Sequence, residues 1–292
     1  MKWITSCMIL FFYINTLAQD SMSIHYKIYD THTKQIISID KIIADCENAD
    51  VLFFGEEHND SAGHYLENKI FQSLHKKYGD QLALSMEMFE TDGQLGLNEY
   101  LAGFIDETRF AKDVRLWSNY KDYRPMIEYA KQNNIPVIAA NPPRRYVSLV
   151  SRRGLKSLDS LSKDAKKYLP PLPYDTLSGL YREKFIDIMQ GSPGGGNPNV
   201  YYSQSLWDAG MSYSIYKYRK SHKHQKIFHC VGNFHCDEKL GTAAQLQMRN
   251  SKLKILNISS FSDKSFSHPD WEQFINRGDY LIITNPDLKK TF

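Results

Sequence analysis

The feature that most constrains this chain is a series of short, unbroken apolar runs: Val51 to Phe54, Leu82 to Met86, Ile135 to Ala140, Ile227 to Val231, Leu253 to Ile258 and Tyr280 to Ile283. A strand that alternates apolar and polar residues buries one face, whereas a continuous apolar run buries both, as in a parallel sheet covered on each side. Helical patterns separate several of the runs. In Ala62 to Tyr78, Tyr65, Ile70 and Leu74 fall near one face with Glu67, Lys69 and Lys76 on others, and Tyr123 to Gln132 and Gly241 to Arg249 also read as helices. The alternation predicts an α/β fold with a mostly parallel sheet flanked by helices. Ahead of it, Ile24 to Tyr29 and Gln35 to Ile39 enclose the turn Asp30-Thr31-His32-Thr33 and read as an N-terminal edge hairpin.

With 42% hydrophobic and 24% charged residues the chain is globular, which excludes disordered and fibrous classes. A net charge of +3 over 292 residues is too small for a long-range basic field, so no nucleic-acid partner is expected. Lys2 followed by the apolar run Trp3 to Leu17 and by Thr16-Leu17-Ala18 reads as a signal peptide over residues 1–18, cleaved after Ala18. That run is shorter than the roughly 20 residues a spanning helix needs. Export implies a periplasmic or outer-membrane-associated protein, with residues 19–292 as a single domain. The stretch from Ser151 to Lys223 breaks the strand rhythm and reads as a helical insertion at about 151–223. Its Gly194-Gly195-Gly196 run leads into Asn197-Pro198 and not into a Lys-Ser or Lys-Thr helix start, so it reads as a mobile loop and not as a phosphate cradle. Once Cys7 leaves with the signal peptide, Cys46, Cys230 and Cys236 remain, an odd number that cannot form a closed disulfide framework and allows at most one bridge. His229 and Cys230 sit side by side in a strand-like run and point to opposite faces, which argues against a structural zinc site with His235 and Cys236.

Polar residues cluster where the apolar runs stop. Gly55-Glu56-Glu57-His58 follows the first, Glu87 ends the second, Asn141 with Arg144, Arg145 and Tyr146 follows the third, and Gly232-Asn233-Phe234-His235 follows the fourth. In open parallel sheets ligands bind beyond the carboxyl ends of the strands, so these groups are expected to converge. Glu56, Glu57, Glu87, His58 and His235 offer oxygen and nitrogen donors without thiolate, a set that suits manganese, iron or zinc. With His58, Glu87 and His235 as ligands, a bound divalent metal lowers the pKa of water and Glu56 orients the attacking water, the logic of a metal-dependent hydrolase. Without a metal, His58 beside Glu87 can serve as a general base. His222 and His224 read as part of a solvated basic face.

The blocks Val-Leu-Phe-Phe-Gly55-Glu56-Glu57-His58-Asn-Asp, Met86-Glu87-Met88-Phe89, Ile138-Ala-Ala-Asn141, Gln204-Ser-Leu-Trp207-Asp208-Ala-Gly-Met211 and Val231-Gly-Asn-Phe-His235 together resemble the ChaN-like haem-binding uptake family. Order and spacing match from about residue 45 to 250. The wider superfamily takes in Tiki-type metalloproteases and erythromycin-esterase-like enzymes, which share the paired Gly-x-x-His turns. The resemblance implies an exported haem-binding protein tied to bacterial iron acquisition, with haem held through a tyrosine at a homodimer interface. Tyr146 is the first choice for that tyrosine. A phenol of pKa about 10 ligates iron poorly until its anion is favoured, which Arg144 or Arg145 would do, and the same guanidinium groups can pair with haem propionates. The chain departs from the ChaN lipoproteins in lacking a convincing lipobox, and Gly63-His64 leaves one histidine where members often carry a pair. Haem binding and metal-dependent hydrolysis both stand at this point. A non-catalytic interaction module is the third class.

Overall fold

The computed structural model describes residues 21–192 and 196–292. The expected signal peptide, and most of the glycine run near Gly194, lie outside these residues. Along the chain run β1 (Tyr26–Asp30), β2 (Gln35–Ile36), α1 (Ile39–Asp45), β3 (Val51–Glu56), α2 (Ser61–Tyr78), β4 (Leu82–Glu90), α3 (Gln94–Leu101), α4 (Glu107–Val114), α5 (Tyr120–Gln132) and β5 (Val137–Asn141). They are followed by α6 (Arg144–Arg153), α7 (Lys163–Lys166), α8 (Leu180–Met189), α9 (Pro198–Ser221), β6 (Lys226–Gly232), α10 (Gly241–Arg249), β7 (Ile255–Ser262), α11 (Trp271–Phe274) and β8 (Tyr280–Thr284).

The strands form one sheet in the order β2-β1-β8-β7-β3-β6-β4-β5, parallel from β8 to β5. The hairpin β1-β2 adds to β8 antiparallel at one edge, as its turn residues predict. Along β3, buried at every position, successive side chains enter opposite layers. Leu52 and Phe54 pack with Leu66, Ile70 and Phe71 of α2 and with Tyr123 of α5, while Val51 and Phe53 pack with Met211 and Ile215 of α9 and Leu246 of α10. That two-sided burial is why the run carries no polar alternation. The fold is thus the α/β arrangement expected, with helices on both faces.

β4 runs past Glu87 as far as Glu90, because Met88 and Phe89 are themselves buried, so Glu87 lies inside a strand and does not end one. α9 reaches β5 closely: a Cβ on Gly210 would stand 2.5 Å from Cδ of Pro142, so only glycine lets the helix settle there. The start of α2 is tied to the last strand through Asp60, which accepts from the Ala62 N–H at 3.0 Å and from the Thr284 hydroxyl at 2.6 Å. Cys46, Cys230 and Cys236 are buried and unpaired. Among the described residues, no helix is long and apolar enough to cross a membrane.

Candidate functional site

Strands β3, β6 and β4 are neighbours, so whatever follows their carboxyl ends is brought to one place. Glu56 is the last residue of β3, and its side chain is fully buried. Its Oε1 meets His58 Nδ1 at 2.7 Å and accepts from the Tyr123 hydroxyl at 2.6 Å. From β4, Glu87 Oε2 accepts from the Gly232 N–H at 2.8 Å, at the end of β6. Beyond Gly232, His235 Nε2 lies 3.8 Å from Glu87 Oε1, and its Nδ1 meets Asp208 of α9 at 2.7 Å. A Cβ at Gly232 would fall 2.9 Å from His58 Nε2, so the glycine lets the β6 turn approach that imidazole. The same necessity acts at Gly55, where a Cβ would lie 2.6 Å from the Cys236 sulfur. Glu56, His58, Glu87 and His235 therefore converge, whereas Glu57 turns toward β7 and accepts from the backbone N–H and hydroxyl of Ser262.

The outcome is two carboxylate-held imidazoles on either side of Glu87. Burial opposes charge on both rings, but the hydrogen bond that His58 donates to Glu56 and the charge of Glu87 win at His58 and raise it to about 9. At His235 burial is likewise outweighed by Asp208 and Glu87, which raise it. Glu56 would be pushed up by burial, yet His58 and His64 hold it down at about 2. At neutral pH His58 is therefore an imidazolium, suited to donating a proton or pairing with an anion more than to the general-base role read from sequence. Its side chain is 36% exposed while that of Glu56 is fully covered, so His58 is the member of this pair that solvent reaches.

Sequence reasoning missed several members of this network. His64 and Glu67, one turn apart on α2, both face inward, and Glu67 is 0% exposed where the helical reading set it off the core face. Burial, then the charge of Glu56, raise Glu67 to about 8. Among the described residues, the group whose donor atoms all lie within 4.8 Å of one another is Glu56, His64 and Glu67, not the trio His58, Glu87 and His235. Asp208, Gln204 and Tyr181 come from α9 and α8, and the spacing of Gln204 and Asp208 on one helical face was the signal available.

Tyr146, Arg144 and Arg145 sit apart from this cluster, on α6 just beyond β5. The Arg145 guanidinium lies 4.4 Å from the centre of the Tyr146 ring, donates to its hydroxyl at 3.3 Å, and pairs with Asp92. Arg144 is exposed and Tyr146 half-buried. Beside β5, the other edge strand of the sheet, a cavity of about 860 Å³ opens between α3 and α9, lined in part by Leu101, Val137, Tyr168, Gly210, Tyr213 and Lys217.

The profile of the family described as "Haem-binding uptake, Tiki superfamily, ChaN" matches residues 42–246. The chain belongs to this family. The matched span takes in every member of the ChaN-family cluster described above, from Glu56 to His235. A solved structure described as cofacial haem binding to ChaN of Campylobacter jejuni shares the fold, with a TM-score of 0.68 over 89% of this chain and 97% of that one at 18% identity. An erythromycin esterase mutant in its open conformation is a more distant likeness, at a TM-score of 0.48 and 10% identity over 89% of this chain and 83% of that one. Protein RETICULATA-RELATED 5, chloroplastic, of Arabidopsis thaliana is 27% identical over 139 residues, which are 45% of this ChaN-family chain and 19% of the plant protein. The match thus spans about a fifth of that relative's length.

Proposed function

We propose that this chain is an exported haem-binding protein serving bacterial haem and iron acquisition, and that Tyr146 supplies the iron ligand. The observation that carries the reading is the phenol–guanidinium pair at the start of α6, in a chain of the ChaN family. The donor set suits the group. Haem, when bound, would supply an iron open to an oxygen ligand such as the Tyr146 phenol and propionates open to cationic partners such as Arg144 and Arg145. Arg145 places positive charge beside the phenol oxygen, and its own position is fixed by Asp92. Arg144 leaves an exposed guanidinium for an anionic edge. Tyr146 also packs beside the apolar cluster of Val147, Val150 and Leu206, which keeps one side of the ring dry. Family membership favours this reading over hydrolysis, and the Glu56–His235 cluster is left for a separate role.

Haemin titration of residues 19–292, followed in the Soret region, tests the ligand. The expected result is a saturable, shifted band, with the loaded protein sedimenting as a homodimer. Tyr146→Phe should weaken binding at least about tenfold, roughly 1.4 kcal/mol, while His235→Ala leaves the band in place. An unchanged titration for Tyr146→Phe would sink the assignment, and loss of the band in Tyr168→Phe instead would move haem to the cavity beside β5. Export predicts that the periplasmic or outer-membrane fraction yields protein beginning at Gln19. Recovery of only the uncleaved chain in the cytoplasm would reject it.

A further inference from the structure

We propose that Glu56, His64 and Glu67 form a closed, structural site for one divalent cation at the junction of β3 and α2. Spacing is the first argument. His64 Nδ1 stands 3.1 Å from Glu56 Oε2 and 3.2 Å from Glu67 Oε2. Metal–ligand bonds of about 2.1 Å place neighbouring donors roughly 3.0–3.4 Å apart, so His64 Nδ1 already stands at that separation from each carboxylate, and all three donors lie within 4.8 Å of one another.

Orientation is the second. His64 Nε2 lies 3.0 Å from the His58 carbonyl oxygen. An imidazole held at Nε2 in this way turns Nδ1 toward the two carboxylates, and once Nδ1 gives up its proton its lone pair faces the site, the outer-partner arrangement that orients metal-bound histidines. Glu56 is held in the same sense. His58 and the Tyr123 hydroxyl occupy its Oε1, which leaves Oε2 for the site.

The third argument is what lacks a partner. Glu56 Oε2 and Glu67 Oε1 are buried without a hydrogen bond, in side chains that are both fully buried. Two neighbouring carboxylates in a dry interior share the single imidazole of His64, and one divalent cation would compensate both. Donors of two carboxylates and one imidazole, with no thiolate, suit manganese, iron or zinc. Because these side chains lie under α2, the cation fixes the helix on the strand and does not face a substrate.

The site is independent of the haem reading, and its test does not use haem. Chelator-treated protein of residues 19–292 is mixed with excess Mn²⁺ or Zn²⁺, desalted and analysed for metal. The expected result is about one equivalent retained with a rise in melting temperature. Glu67→Gln should lose it by more than the about 10- to 100-fold that removing an outer partner costs, while Glu87→Gln retains it. If the wild type retains none, or Glu67→Gln retains it, or Glu87→Gln loses it, the assignment is wrong. Should Glu67→Gln fail to fold, pulsed electron paramagnetic resonance of the Mn²⁺-loaded wild type decides. Coupling to the nitrogen of one imidazole supports the site, and coupling to two or to none overturns it.

Discussion

Asp208→Ala is expected to cost about 3–5 kcal/mol of stability, the price of removing one partner from a buried charged network. Asp208 is fully buried in the middle of α9. It accepts from the Tyr181 hydroxyl of α8 at 2.6 Å and the Thr242 hydroxyl of α10 at 2.9 Å, and meets His235 Nδ1 at 2.7 Å. Alanine leaves three polar groups buried without their acceptor, one of them an imidazole whose charge depends on this carboxylate. Asp208→Asn keeps an acceptor and loses the charge, so it should cost less, about 1–3 kcal/mol. Urea unfolding at neutral pH measures both. A loss below about 1 kcal/mol for Asp208→Ala would show that the network does not tie these helices to the β6 turn.

His229 should make the fold acid-sensitive. It is fully buried on β6, hydrogen-bonded to Ser85 through Nδ1 at 2.9 Å, with Nε2 unpartnered and its ring edge-on to Phe53. Burial holds it down at about 3, well under the 6.5 of a solvated ring. Between these values the unfolded chain binds a proton that the folded chain refuses. Its contribution is therefore complete above pH 6.5 and falls by about 1.4 kcal/mol per pH unit as pH drops toward 3. In the His229→Asn variant this slope disappears, and the stability difference between wild type and variant cancels the other titrating groups. A difference that does not change between pH 6.5 and 5 would mean that the ring is protonated inside the fold.

Both residues show what sequence could and could not supply. The parallel sheet was legible because two-sided burial leaves runs such as Val51 to Phe54 without polar interruption, and the edge hairpin because its turn residues are explicit. Convergence of Glu56, His58, Glu87 and His235 followed from where those runs stop, since a parallel sheet has one carboxyl edge. Glu87 was placed at a strand end because it is the first charged residue after an apolar run, but local polarity does not terminate a strand whose next residues are buried. Asp208 and Gln204 stand in the sequence as members of one block with no sign of a role of their own. Their partners lie 27 and 31 residues away, and no local pattern reports a contact of that range. Glu67 was misplaced for a related reason. It shares the inward stripe of Ile70, Phe71 and Leu74, and periodicity that weighs only apolar residues sets a buried carboxylate aside.

The antiparallel pairing of β1 with β8 bears on how such a chain assembles. Tyr26 lies opposite Thr284 and Asp30 opposite Tyr280, so the first strand described pairs with the last. Closing a contact of that span costs more loop entropy than the local pairing of β7 with β8. In a chain synthesised amino-terminus first, β1 waits for its partner, and Ile28 and Tyr29, both buried in the finished sheet, stay uncovered until β8 is made. The sheet edge is thus sealed only once β8 is in place.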